Sequence, residues 1–233
     1  MGLQRYKEKR HFGATPEPAG RIEPRKRGAL MFVIQKHDAT RLHYDFRLEL
    51  EGVLKSWAVP KGIPTTKGDR RLAMHVEDHP ISYGDFEGII PEGNYGAGSV
   101  MVWDTGTWEP VGDDPPKALR DGKLKFALHG KKLEGEWTLV RMRAREQGKE
   151  EWLLIKTGED VKPISVKKDD ESVLTKRTMA QIAGQKARTW QSNRSAAATK
   201  DNFRDRIAAA AKKLAANTNV AANVNGRERV RTA

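Results

Sequence analysis

The 233-residue sequence contains no cysteine, which removes disulfide frameworks, thiolate zinc sites and cysteine nucleophiles. It contains no apolar run of membrane-spanning length, and residues 1–28 are charged with no hydrophobic leader core. These absences point to a soluble, cytoplasmic protein with no membrane partner. The phosphate-binding pattern G-x-x-x-x-G-K-[ST] is missing as well, so the glycine-rich stretch Gly84–Gly98 reads as tight turns and close backbone packing. Aromatic residues make up only 7% of the chain, and Trp57, Trp103, Trp137 and Trp152 fall within strand-like runs. Core packing rather than base stacking is therefore the expected use of most of them. Acidic residues are scarce in one region. Residues 161–233 carry 16 Lys/Arg against 6 Asp/Glu, whereas residues 1–160 carry 27 against 25. The net charge of +12 belongs mainly to the C-terminal third and points to a polyanion as the large partner.

The length suits one domain with tails, or at most two small domains. Residues 1–28 mix basic residues, Gly and Pro without helical or strand period, as an N-terminal arm wrapped on the domain surface, or a flexible leader, would; an arm is expected to pack on or near the active site. From residue 29 to 160 the pattern is one of short β-type runs: Met31–Lys36, Leu42–Leu50, Val53–Val59, Arg71–Glu77, Ser99–Asp104, Leu124–Leu128, Glu136–Met142 and Trp152–Lys156. Many short strands punctuated by Gly, Pro and Asp predict a mainly β fold, an antiparallel barrel or sandwich. Residues 161–233 read as a basic tail, partly helical or disordered. A short helix is expected over residues 201–216, with Asp201 as its N-cap.

The most informative run is Leu42–Leu50. Side chains alternate across a strand, so Leu42, Tyr44, Phe46, Leu48 and Leu50 share one face and His43, Asp45, Arg47 and Glu49 the other. The polar face carries an imidazole, a carboxylate and a guanidinium at steps of roughly 6.5–7 Å. Gln35 and His37 share a parity on the preceding strand, and a short turn brings them alongside. Two His and one carboxylate form a divalent-metal set with positions left for water or substrate, and Arg47 could fork onto a phosphate oxygen. The alternative is a solvated strand face with incidental histidines. A second run, Arg71–Glu77, alternates in the same way, with Leu72, Met74 and Val76 opposite Arg71, His75 and Glu77. His79, beside Pro80 at the strand's end, is a candidate for proton donation or phosphate binding, whereas His75 reads as a core or surface histidine.

The segment Phe32–Leu48, with its order Gln35, His37, His43, Asp45, Arg47, closely resembles the signature of the 3′-phosphoesterase domain of bacterial DNA ligase D. So do Trp57–Gly62, His75–Pro80 and Gly84–Gly98, and the likeness covers roughly residues 5–157. The resemblance implies a small antiparallel β-barrel with a polar internal site, here as a stand-alone, monomeric protein. It implies a manganese-favouring enzyme, other divalent metals being admitted. Such an enzyme trims a terminal ribonucleoside from a DNA or RNA/DNA primer 3′ end and then removes the remaining 3′-phosphate, leaving a ligatable 3′-OH. It implies His37, His43 and Asp45 as metal ligands, and Arg47 and His79 as phosphate-binding and transition-state groups with Tyr83 beside them. Gln35, Glu77, Arg10 and Glu17 match positions tied to the phosphomonoesterase step, and Lys61 and Arg71 positions tied to the phosphodiester step. One departure is visible: His11 stands where the family's arm carries Asp. The implied setting is double-strand-break repair by end joining at the nucleoid, with a DNA ligase and an end-binding protein as partners.

Two other functions fit parts of the sequence. A non-catalytic DNA-binding accessory protein would use the barrel as a scaffold and the basic tail for salt-dependent affinity. A cupin-like iron oxygenase shares the two-His-one-carboxylate set but accounts for neither Arg47 and Arg71 nor the tail. The tail itself reads as a DNA-tethering arm or as a solvated linker.

Overall fold

The alternating runs become nine strands in the computed structural model, which describes residues 2–23, 28–143 and 150–184. They are β1 (Leu30–Asp38), β2 (Leu42–Leu50), β3 (Val53–Val59), β4 (Arg70–His75), β5 (Gly88–Ile90), β6 (Gly98–Pro110), β7 (Lys123–Gly130), β8 (Glu134–Arg141) and β9 (Glu151–Lys156). All pairings are antiparallel, in the order β1-β2-β3-β4-β9-β8-β7-β6, and β6 returns to β1. Eight strands thus close into a barrel, as the sequence predicts, with no free edge around its circumference. The short β5 adds to the first residues of β6.

Two turns set the registers that matter for function. Residues 39–41 join β1 to β2 and place His37 opposite His43 and Gln35 opposite Asp45. Glu51 (φ 54°) and Gly52 (φ 78°) join β2 to β3, both in the left-handed region that a two-residue hairpin with matching twist requires. Gly52 has a second duty: a Cβ there would lie 1.9 Å from the Glu23 carbonyl oxygen, where the N-terminal arm reaches the barrel.

The lumen holds the larger core. Phe32, Phe46, Trp57, Phe126, Trp137 and Trp152 are among its members, and every one of the eight barrel strands contributes. The four tryptophans assigned to packing all lie in it. A second apolar layer covers the outer wall of β1, β3 and β6. There Met31, Val33, Leu54, Val100 and Val102 pack against Leu3 and Tyr6 of the arm and against Ile81, Tyr83 and Phe86. Tyr6 belongs to the short helix α1 (Gln4–Glu8), and Ile81–Asp85 forms a 3-10 turn.

Three sequence expectations are revised. On β4 the packed face is the opposite one. Arg71 pairs with Leu154 and Ala73 with Trp152, so Ala73 is fully buried while Leu72 is 40% exposed. The small Ala leaves room for the Trp152 indole, a tertiary fit that hydrophobicity alone does not reveal. Second, the folded unit does not stop at residue 160. Residues 161–184 return to the barrel through Val173, whose N–H donates to the Val102 carbonyl, and through Ile182 in the lumenal core. This segment holds helices α3 (Val166–Asp170) and α4 (Met179–Ala183), N-capped by Ser165 and by a Thr178–Gln181 capping box. Its two anchors are too sparse to make a periodic signal. Third, although the many short runs with turn signals predict little helix between the strands, α2 (Pro115–Asp121), capped by Asp114 and ended by Gly122, interrupts the β pattern between β6 and β7. The helix expected over 201–216 lies outside the described residues. No helix among the described residues is long and apolar enough to cross a membrane.

The anchoring of residues 161–184 is open to a direct test. Ile182→Ala should lower unfolding free energy by about 2–4 kcal/mol in urea, the cost of truncating a buried aliphatic side chain. A change below about 0.5 kcal/mol would mean that this segment does not belong to the cooperative unit.

Candidate active site

The polar residues singled out on β1 and β2 share the parity of Met31 and Val33, so they face outward from the barrel wall rather than into the lumen. They are nonetheless internal to the protein, because the arm and the 3-10 turn roof them. Gly20 (φ 56°) lets the arm pass directly over Pro80, where a Cβ would lie 2.1 Å from the proline ring.

His37, His43 and Asp45 offer three ligand atoms, all within 4.8 Å of one another. His37 Nδ1 lies 3.6 Å from one Asp45 oxygen and His43 Nε2 3.7 Å from the other, too far for hydrogen bonds. The remaining ring nitrogens are committed: His37 Nε2 lies 2.9 Å from the Gly96 carbonyl oxygen and His43 Nδ1 2.9 Å from that of Arg41. A carbonyl only accepts, so each ring donates there and keeps its lone pair on the nitrogen turned toward Asp45. Two oriented imidazole lone pairs and a carboxylate fit a divalent cation. Burial opposes ionisation of Asp45, but the Arg47 guanidinium, His37 and His43 outweigh it and hold the carboxyl at about 2.

Arg47 links this triad to a second cluster. Its side chain is 2% exposed; Nη2 donates to Asp45 (2.9 Å), Nε donates to Gln35 Oε1 (2.8 Å), and Nη1 lies 2.9 Å from His79 Nδ1. Gln35 is fixed in turn by donating to the carbonyls of Tyr83 and Phe86. Arg10, from the arm, approaches His79 from the other side, with Nη2 3.1 Å from Nε2. Its other nitrogens donate to Glu17 (2.8 Å) and Glu77 (3.0 Å), and Tyr83 donates its hydroxyl to Glu17.

His79 is thus wedged between two guanidinium groups. Burial, then Arg47 and Arg10, push its pKa well below the ordinary histidine value, so the ring is neutral. A neutral imidazole has one lone pair and cannot accept from both arginines. The Glu77 carbonyl, 2.9 Å from Nδ1, takes the ring N–H, and Nε2 accepts from Arg10. Arg47 Nη1 then faces an N–H rather than a lone pair. The cluster is short of acceptors at this point, and a phosphate oxygen would supply one.

The structure therefore brings together ten of the twelve residues picked out in the sequence: Arg10, Glu17, Gln35, His37, His43, Asp45, Arg47, Glu77, His79 and Tyr83. Lys61 and Arg71 stand apart. Lys61 is exposed in the turn after β3; Arg71 bonds to Asp69 and the Arg70 carbonyl and has the lumenal parity of Leu154. Among the described residues, neither has a hydrogen bond or ion pair to the cluster. Three contributors escaped sequence reasoning. Lys9 donates to Glu77 and Tyr95, Ser56 lies 3.2 Å from His79 Nδ1, and the Gly96 carbonyl orients His37. Ser56 was within reach, because a two-residue turn at Glu51-Gly52 sets it opposite Arg47.

The site is thus a closed antiparallel barrel whose outer wall carries a His-His-Asp set able to hold a metal ion, beside a buried arginine. Residues 35–141 match the family described as DNA Ligase D 3′-phosphoesterase domain, and the chain belongs to that domain family. The multifunctional non-homologous end joining protein LigD of Pseudomonas aeruginosa is 51% identical over 193 residues, covering 79% of this chain and 22% of that protein. The multifunctional non-homologous end joining DNA repair protein LigD of Mycobacterium tuberculosis is 42% identical over 192 residues, covering 81% of this chain and 24% of that one. This chain thus spans less than a quarter of each of these relatives.

The depressed pKa of Asp45 has a stability consequence. Its ionised form contributes stability that is complete above the unfolded value of 3.8 and is lost as pH falls through about 2. In chelator, the stability difference between the wild type and Asp45→Asn should shrink by about 2 kcal/mol from pH 5 to pH 2 in urea titrations. A pH-independent difference would show that Asp45 is not held ionised by its neighbours.

Proposed function

We propose that this chain is a metal-dependent hydrolase of DNA or RNA/DNA 3′ ends. It removes a 3′-terminal ribonucleoside and then the 3′-phosphate, leaving a 3′-OH that a ligase can use in end joining. The observation that carries the reading is the His37–His43–Asp45 set, each imidazole aimed by a backbone carbonyl, with Arg47 on the same carboxylate. Membership of the domain family and the names of the relatives support the substrate class.

His37, His43 and Asp45 hold the ion, manganese being the expected one, which supplies Lewis acidity toward a phosphoryl oxygen. Arg47 takes a phosphate oxygen with the N–H that the His79 ring leaves unmatched, and so balances the charge that develops on phosphorus. In the diester step water adds at phosphorus and the ribonucleoside oxygen departs. In the monoester step a second water adds and the 3′ oxygen departs. His79 enters both steps neutral, with its N–H on the Glu77 carbonyl and its lone pair on Arg10, so its part is to leave an Arg47 N–H open to the reacting phosphate rather than to donate a proton from a charged ring. Arg10, Glu17, Gln35, Glu77 and Tyr83 fix these groups from behind. Lys61 and Arg71, apart from the cluster, serve the diester step by binding the nucleic acid beyond the reacting phosphate. A DNA ligase and an end-binding protein are the partners such an activity calls for.

Product analysis on paired primers, one ending in a ribonucleotide and one in a 3′-phosphate, tests the proposal. Manganese should support both conversions and EDTA should abolish them. Arg47→Ala should lower kcat/KM by about 100- to 1000-fold, the usual cost of removing a charge-stabilising donor. His43→Ala should do so with a weakened manganese dependence. Conversion that resists EDTA, or no conversion with manganese present, would overturn it; salt-dependent DNA binding without turnover would point to the scaffold function instead.

A further inference from the structure

The loop between β5 and β6 carries an aromatic side chain that the proposed chemistry does not use. Tyr95 is 50% exposed, in contrast to the buried tryptophans. Its neighbour Gly96 (φ 74°) supplies the carbonyl that orients His37, so the ring stands one residue away from a fixed point of the metal centre. On the other side it meets the arm. Lys9 Nζ lies 3.2 Å from the Tyr95 hydroxyl but 4.5 Å from the ring centroid. The ammonium therefore sits over the hydroxyl end of the ring, nearer the oxygen than the ring centre. The same Lys9 is bound to Glu77, and Arg10 lies 5.7 Å from the ring centroid.

An exposed tyrosine pinned at its hydroxyl, beside two cations and a metal-ligand loop, has what a base-stacking surface needs. It offers a flat apolar face, a fixed orientation and a positive surround for the attached phosphate. We propose that Tyr95 stacks on the terminal base of the substrate and so sets the preference for 3′ ends that bear a nucleoside; this rests on the phosphoesterase reading above. Lys9 is the positioning residue that holds the ring in place. Stacking on an aromatic side chain is sequence-tolerant, so the preference is for the presence of a base rather than its identity.

The experiment compares Tyr95→Ala, Tyr95→Phe and the wild type on two primers, one ending in an ordinary ribonucleotide and one in an abasic ribose. On the ordinary primer Tyr95→Ala should raise KM by about 5- to 100-fold with little change in kcat, the range expected for one lost stacking partner. Tyr95→Phe, which keeps the aromatic face but loses the Lys9 bond to the hydroxyl, should raise KM by less than Tyr95→Ala does. On the abasic primer the wild type should itself show the raised KM, and Tyr95→Ala should raise it no further. An unchanged KM in Tyr95→Ala, or an equal loss on both primers, would overturn the proposal; the second result would mean that the residue acts by supporting Gly96 and His37. Fluorescence anisotropy with the same oligonucleotides reads stacking without turnover. Failure of the enzymatic reading, seen as no conversion by the wild type, is thereby distinguishable from failure of the stacking.

Discussion

The register of the β1–β2 hairpin is the constraint on which this site depends. Pairing His37 with His43 and Gln35 with Asp45 puts both imidazoles, the carboxylate and the Arg47 guanidinium on one outer face. A slip by one residue would turn that set into the lumen and the lumenal aromatics out to the arm. Two kinds of apolar burial, on opposite faces of the same strands, forbid the slip. On β1, Phe32 and Ile34 pack inside while Met31 and Val33 pack outside; on β3, Trp57 and Val59 pack inside while Leu54 packs outside. Because β1 also pairs with β6 to close the barrel, the register is fixed on both edges of the strand.

On this rigid wall the charged groups are arranged so that each neutralises the next. Asp45 meets Arg47, and Arg10 meets both Glu17 and Glu77, with Lys9 on Glu77 as well. Charges so thoroughly removed from water persist only when paired and hydrogen-bonded. The exception is His79, a neutral ring that faces more donors than it can satisfy, and this local shortage of acceptors is where an anionic oxygen would gain most. The arm reaches this cluster, bringing Lys9, Arg10 and Glu17 to it, and is seated by Tyr6 against His79.

Much of this was legible in advance, for a physical reason. Strict alternation over Leu42–Leu50 gave both the strand and the odd polar face, because burial on one side and chemistry on the other impose a period of two. The same logic failed on Arg71–Glu77. There the packed face is the one with Ala73, since the large Trp152 across from it fills the space. The boundary near residue 160 failed for want of a period, as Val173 and Ile182 are single anchors on segments that owe their shape to caps. Glu49, on the polar face, ended in no catalytic role; its carboxylate accepts the Met31 N–H across the hairpin.

By itself the sequence determined the class of fold and the gathering of His37, His43, Asp45 and Arg47 on one face, because these depend on neighbours within one hairpin whose pairing follows from local pattern and a short turn. Only the tertiary structure decided that the site lies on the outside of the barrel, that Arg10 and Arg47 grip His79 from two sides, and that Lys61 and Arg71 stand apart from it. Those facts depend on contacts between residues dozens of positions apart, whose geometry is set by barrel closure and by the path of the arm, and no local periodicity encodes either.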